Sequence, residues 1–208
     1  MVETIVQSCQ EVGTRTVALA LETPREFDAL PGQFVLVRAM IDGTEETGYY
    51  TISSPTTDDS FEITVQVTSD SALGTWLADR EVGDPIEIDG PFGDVQYADR
   101  NDVVVLAAGP GIGPAVGIGE RARATDHDAT LLYEGDDPAH ADRLTTLEAE
   151  GATVVLGVSD LTDPLEEIDG DKQLFVFGFA SFVDRATAAI KAAGLDPDAA
   201  EVENFGPE

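Results

Sequence analysis

The chain has 208 residues, 42% of them hydrophobic, with 41 acids against 11 bases and a net charge of −30. That is core enough for one or two domains of roughly 150 residues, while so negative a surface turns away nucleic-acid phosphates and anionic bilayers. No apolar run approaches roughly 18 residues, and Met1-Val2-Glu3-Thr4 lacks the basic and apolar regions of a signal peptide, so neither a membrane span nor export is expected.

The first half reads as β structure. Residues 2–8 and 14–22 are short runs rich in β-branched side chains. Pro31-Gly32 marks a turn before a buried strand, Gln33 to Arg38, and Tyr49-Tyr50-Thr51-Ile52 forms another. Phe61 to Val67 alternates with period two, which predicts one dry face. Residues 72–80 read as a short helix, and Pro85 to Ile88 as a last strand ended by Gly90-Pro91-Phe92-Gly93. Short strands with one helix in so few residues predict a small antiparallel β-barrel over residues 1–97.

The period changes in the second half. Val103 to Ala108 is apolar on both sides, as in a central parallel strand. A glycine-rich turn follows, then a helix near 114–124, a strand at Thr130 to Tyr133, a helix near 139–150 and a strand at Thr153 to Leu156. Leu174 to Phe177 is a strand, 180–193 a helix and 201–205 a short final strand. Alternating β and α predicts a doubly wound parallel α/β sheet over 98–208, with the boundary in the polar stretch 96–102.

Cys9 is the single cysteine, and His127 and His140 both lie in polar stretches, so no metal site is expected, zinc and iron–sulfur included. Lys172 and Lys191 are the only lysines. High acid content with scarce lysine suits multimolar salt, where the Debye length is roughly 3 Å or less and self-repulsion is screened. This composition points to a haloadaptive, haloarchaeal type of surface in the cytoplasm of a salt-accumulating microbe.

Gly109-Pro110-Gly111-Ile112-Gly113-Pro114 sits between a buried strand and a helix. Its glycines permit close backbone approach, Pro114 suits a first helical turn, and a helix start attracts a pyrophosphate. The spacing is not that of the GxGxxG fingerprint, so the turn is open between phosphate binding and helix–strand packing.

Taken in order, the local sequences resemble the ferredoxin–NADP reductase family. Pro31-Gly32-Gln33-Phe34-Val35 is similar to its PGQFV strand, and Tyr50-Thr51-Ile52-Ser53-Ser54-Pro55 to the tail of its flavin motif R-x-Y-[ST]-I-S-S. Gly74-Thr75-Trp76-Leu77 resembles the G-T-x-x-L form of dihydroorotate dehydrogenase electron-transfer subunits. Gly83-Asp84, Gly90 to Gly93, Gly109 to Pro114, Phe177-Gly178 and Glu203-Asn204-Phe205-Gly206 follow in family order over roughly residues 5–206. Reductase modules of the phenol and benzoate type without an iron–sulfur domain are similar as well.

The resemblance implies FAD on the barrel and NAD(P)H on the α/β half. Tyr50 would lie on the flavin ring, the Thr51 hydroxyl near flavin N5, and Ser53 beside them. Gly74 and Thr75, as a helix start, would hold the flavin pyrophosphate. Gly109, Gly111, Ile112, Gly113 and Pro114 would receive the nicotinamide dinucleotide, with Phe177 and Gly178 beside the nicotinamide. Thr51 and Glu203 are the catalytic residues this implies, Glu203 taking part in proton and hydride handling, and Phe205 would cover the ring. For Tyr50, a buried strand tyrosine is the plain alternative.

Three positions depart from the family. Gly48 stands where the family has an arginine on the flavin pyrophosphate, with Arg38 and Arg80 the bases available to replace it. Restoring arginine at 48 is expected to tighten FAD. Phe177 replaces a cysteine and is expected to crowd the nicotinamide. Tyr133-Glu134-Gly135-Asp136-Asp137 is acidic where NADPH-dependent relatives carry an arginine, which favours NADH. The implied function is an FAD-dependent oxidoreductase passing electrons between NAD(P)H and a redox-protein partner or small acceptor. The alternatives are a reductase-fold binding module with degenerate cofactor sites and a flavoprotein fed by a partner.

Overall fold

The computed structural model describes residues 1–168 and 171–207. Six antiparallel strands come first: β1 (Val2–Gly13), β2 (Thr16–Glu22), β3 (Phe34–Ile41), β4 (Thr44–Thr51), β5 (Ser60–Gln66) and β6 (Pro85–Phe92), in sheet order β4-β3-β6-β1-β2-β5. The two edges meet just beyond β4, where Ile52 bridges Ile63 of β5. That pairing joins the edges that would otherwise expose unpaired backbone. Inside lie Val6, Leu19, Leu21, Val35, Val37, Ile63, Val65 and Ile88, capped by Leu73 and Leu77 of α1 (Ala72–Ala78).

Two details differ from the sequence expectation. β6 does not stop before Gly90-Pro91. Its pairing with β3 shifts between Phe34 and Leu36, and this bulge carries the strand through to Phe92. In β5, Thr64 is buried along with Phe61, Ile63 and Val65. The strand's polar face, with Glu62 and Thr64, is covered by the second half of the chain.

The second half is a parallel sheet, in order β11-β10-β7-β8-β9. Its strands are β7 (Val103–Ala108), β8 (Ala129–Glu134), β9 (Thr153–Leu156), β10 (Gln173–Gly178) and β11 (Glu201–Asn204). One face is covered by α2 (Ile112–Ala124) and α3 (Ala141–Ala149), the other by α4 (Thr162–Glu166) and α5 (Ala180–Ala192). β7 is central, which explains its continuous apolar run: Val103 and Val105 join one core, Val104 and Leu106 the other. The five-residue α4 escapes a periodicity reading because only Leu165 of it is buried. The polar stretch around 96–102 is no loose hinge. Tyr97 is fully buried against Phe175, and its backbone N–H donates to Pro31 of the barrel.

No helix among the described residues is long and apolar enough to cross a membrane.

Candidate functional site

After β7 the chain winds outward through β8 and β9, then returns to the other side of β7 as β10 and β11. Loops leaving β7 and β10 therefore diverge, and a crevice opens at the carboxyl ends of the strands. The barrel faces this crevice. Together they enclose a cleft of about 660 Å³. Phe34, Leu36, Tyr49, Tyr50, Thr51, Thr64, Gln66, Thr68, Ser71 and Phe92 line it from the barrel side, with Pro110, Pro114, Phe179, Glu203, Asn204 and Phe205 opposite.

Aromatic rings make up much of the wall. Tyr49 is exposed and meets Phe34 edge-on at 5.4 Å; Phe179 and Phe205 meet edge-on at 6.0 Å. Tyr50 lies back over Gly48: a side chain there would come within 3.1 Å of the Tyr50 ring and 3.0 Å of Leu73. Burial pushes the Tyr50 hydroxyl up to about 12, so it remains a neutral donor. Burial also pushes the Glu203 carboxyl above its usual range, which favours a held proton. Planar faces, a hydroxyl at Thr51 and a half-buried carboxyl at Glu203 suit a flat heteroaromatic redox cofactor, so the residues present fit the flavin ring.

Of the residues expected at the site, Tyr50, Thr51, Pro114, Glu203 and Phe205 lie together on the cleft. Gly109, at φ +54, faces open space apart from the Phe179 ring at 4.0 Å. With Ile112, Tyr133 and Asp137 it lines a smaller recess that shares Gln66 and Pro110 with the cleft.

The others do different work. A side chain at Gly111 would run into the Phe177 carbonyl, so this glycine seats the turn on β10. One at Gly113 would meet the Thr64 hydroxyl oxygen at 2.8 Å, so it seats α2 on the barrel. Gly74 and Thr75 fall within the opening of α1, which begins at Ala72 and is capped by Ser71, whose hydroxyl accepts from the Gly74 N–H, so the Gly74 donor is already taken. The Thr75 hydroxyl is turned back onto the Ser71 carbonyl. Phe177 is fully buried and stacked on Phe175 at 6.2 Å, so it does not line the cleft; Gly178 packs on Phe182. Arg38 is bonded to Glu45, and Arg80 lies over Trp76 and reaches Asp84, so neither lines the cleft.

Ser53 is likewise fully buried away from the cleft, in a junction that sequence reasoning missed. Arg143 of α3 donates to both oxygens of Glu120 at 2.7 Å, to Glu62 of β5 at 2.7 Å and to the Ser53 carbonyl at 2.7 Å. The Ser53 hydroxyl donates to Glu62 at 2.8 Å, and His140 Nε2 pairs with the Thr64 hydroxyl at 2.8 Å. Burial holds the Glu62 carboxyl above its usual range even with Arg143 and Ser53 pulling it back. A signal was present: His140, Arg143, Leu144 and Leu147 fall at i, i+3, i+4 and i+7, one face of a helix.

Comparison with known proteins agrees with this architecture. The sequence model of the oxidoreductase FAD-binding domain family matches residues 3–97. The ferredoxin reductase component of 3-ketosteroid-9-alpha-monooxygenase from Mycolicibacterium smegmatis is 30% identical over 198 residues, 84% of this chain and 55% of that protein. The glycine betaine monooxygenase reductase subunit of Chromohalobacter salexigens is 35% identical over 114 residues, 53% of this chain and 30% of that protein. The FAD/NAD-binding domain of nitric oxide dioxygenase from Vibrio cholerae superimposes with a TM-score of 0.84 at 21% identity, covering 99% of this chain and 98% of that one. Residues 3–97 thus match a family of FAD-binding oxidoreductase domains, and the chain is similar to ferredoxin reductase components. It spans about half the length of the first of these relatives.

Proposed function

We propose that the chain is a flavin-dependent NAD(P)H oxidoreductase, with residues 1–97 as its flavin half and 98–208 as its nicotinamide half. One observation carries the reading: an aromatic-walled cleft at the switch point of the parallel sheet, bringing Tyr50 and Thr51 of the barrel opposite Phe179, Glu203 and Phe205. FAD, when bound, supplies hydride acceptance and release of electrons singly or in pairs. The chain's own residues do the rest. Tyr50 and Phe205 offer flat faces, the Thr51 hydroxyl orients a polar edge, and Glu203 presents a half-buried carboxyl whose proton affinity burial has raised. Phe179 and Phe205 give the α/β side of the cleft an apolar wall.

NADH is favoured over NADPH. Past β8 stand Asp136 and Asp137, and Arg185, the base beside Glu134, is paired with it at 2.7 Å. A 2′-phosphate would meet acids there, whereas a ribose hydroxyl can donate to them. As the Mycolicibacterium and Chromohalobacter relatives are reductase parts of monooxygenases, the acceptor is a partner redox protein such as an oxygenase component, or a small molecule. A cytoplasm is where NADH is supplied, which supports that location, and the excess of acids suits a halophile.

Purified in multimolar salt, the protein should be yellow or turn yellow with FAD, and anaerobic NADH should bleach it. A protein that stays colourless with FAD is the binding module instead. A yellow protein that NADH does not bleach is fed by a partner.

A further inference from the structure

Resting on the flavin reading, we infer that Thr64 is a second binding residue for the flavin ring beside Thr51. Its hydroxyl donates to a carbonyl on the ring's polar edge, and His140 is the positioning residue that leaves the hydroxyl free to do so. Ile52 bridges Ile63 where the barrel closes, so the neighbouring antiparallel pair is Thr51 with Thr64. Side chains paired in this way share a face, with Cβ atoms roughly 5 Å apart, and both threonines line the cleft.

The ring proton of His140 decides where the Thr64 proton goes. His140 is buried, and its backbone N–H donates to the Val12 carbonyl at 2.8 Å, which anchors the base of the side chain. Burial and the nearby Arg143 push the imidazole down to about 3, so at neutral pH the ring carries a single proton. Arg143 Nη1 stands 3.5 Å from Nδ1. A guanidinium can only donate, so it favours a bare Nδ1 and leaves the proton on Nε2. Nε2 lies 2.8 Å from the Thr64 hydroxyl oxygen and therefore donates to it.

The hydrogen of the Thr64 hydroxyl must then turn elsewhere. Among the described residues that hydroxyl has no other partner. Thr64 is buried, and α2 closes over it, since a side chain at Gly113 would meet its oxygen at 2.8 Å. The cleft is the outlet that remains, and a buried hydroxyl hydrogen calls for an acceptor. A flavin ring supplies carbonyl acceptors on its edge. These gain electron density when the ring is reduced, so a donor held there favours the reduced form.

Two measurements test this. Long-range proton–nitrogen correlation spectra of histidine-labelled protein, with His127→Gln to identify the other histidine, should show His140 protonated at Nε2. Protonation at Nδ1 overturns the inference. Thr64→Val and Thr64→Ser are then loaded with FAD in multimolar KCl and titrated spectroelectrochemically. In Thr64→Val the preference for reduced over oxidised flavin should fall roughly three- to tenfold, a drop of about 15–30 mV in the two-electron potential. Thr64→Ser should restore it. A hydroxyl that merely packs the junction would affect oxidised and reduced flavin alike, so an unchanged potential in Thr64→Val overturns the inference and leaves the flavin reading standing. A parent protein that binds no FAD overturns both.

Discussion

Phe177 and His140 show how a residue's neighbours decide its role. Phe177 takes the place of a smaller family residue, yet its ring lies in the core against Phe175 and has no part in the cleft. Phe177→Cys should therefore cost about 2–4 kcal/mol by leaving a cavity, with no gain in the rate of reduction by NADH. Denaturant unfolding and anaerobic stopped flow check both parts; faster reduction would show that the ring reaches the nicotinamide. His140 is buried at φ +62, and burial, helped by Arg143, pushes it down to about 3. An unfolded histidine titrates near 6.5, so the unfolded chain gains a proton below that pH while the native one does not. This contribution to stability is complete above pH 6.5 and is lost as the pH falls toward 3. At pH 5 the loss is about 2 kcal/mol. His140→Asn keeps a residue that tolerates positive φ and should lose less stability than the parent between pH 7 and 5. Equal losses would mean that His140 is already charged in the fold.

Among the elements, α2 carries the most information. It runs against the barrel at one end and into the α/β core at the other. A side chain at Gly117 would meet the Ser53 carbonyl oxygen at 2.9 Å, whereas one at Gly119 meets only the tips of Leu131 and Leu147, at 3.1 and 3.3 Å. Alanine gains about 1 kcal/mol over glycine in a helix. Overpacking against immovable backbone costs about 1–3 kcal/mol. Gly117→Ala should thus destabilise by about 1–2 kcal/mol, and Gly119→Ala should be neutral or mildly stabilising; thermal melts of the two variants decide this. Both glycines look alike in the sequence. The strands and long helices were legible there because apolar periodicity reports burial directly. β7 declared itself by its apolar run, and Tyr50 and Thr51 by their place in an ordered series of motifs. The α2 glycines, Ser53 and Arg143 could not be assigned so easily, because their partners are far away in the chain. A glycine-rich turn has the same composition whether it receives a phosphate or a neighbouring strand.

At the scale of the whole molecule, 41 acids share 11 bases. Arg38, Arg80, Arg121, Arg123, Arg143 and Arg185 already pair with acids, so most carboxylates face water and one another. Repulsion of this kind favours expanded states and is screened as the Debye length shrinks from about 10 Å at 0.1 M to about 3 Å at 1 M. The melting temperature should climb with KCl between 0.1 and 3 M, most steeply over the first molar. A flat response in differential scanning fluorimetry would mean that the acids are spaced widely enough not to interact.

The polar face of β5 has a consequence for how such a chain can be recombined. Glu62 and Thr64 are held by Arg143 and His140, while Gln66, farther along the strand, already faces the cleft. A single strand of the flavin half thus sets the seating of the other half and part of the wall where the two cofactors would meet. Grafting a foreign α/β half onto this barrel would strand a carboxylate and a hydroxyl at the seam. A working chimera must bring along Arg143, His140 and the glycine at 113, so the two halves are inherited as a matched pair.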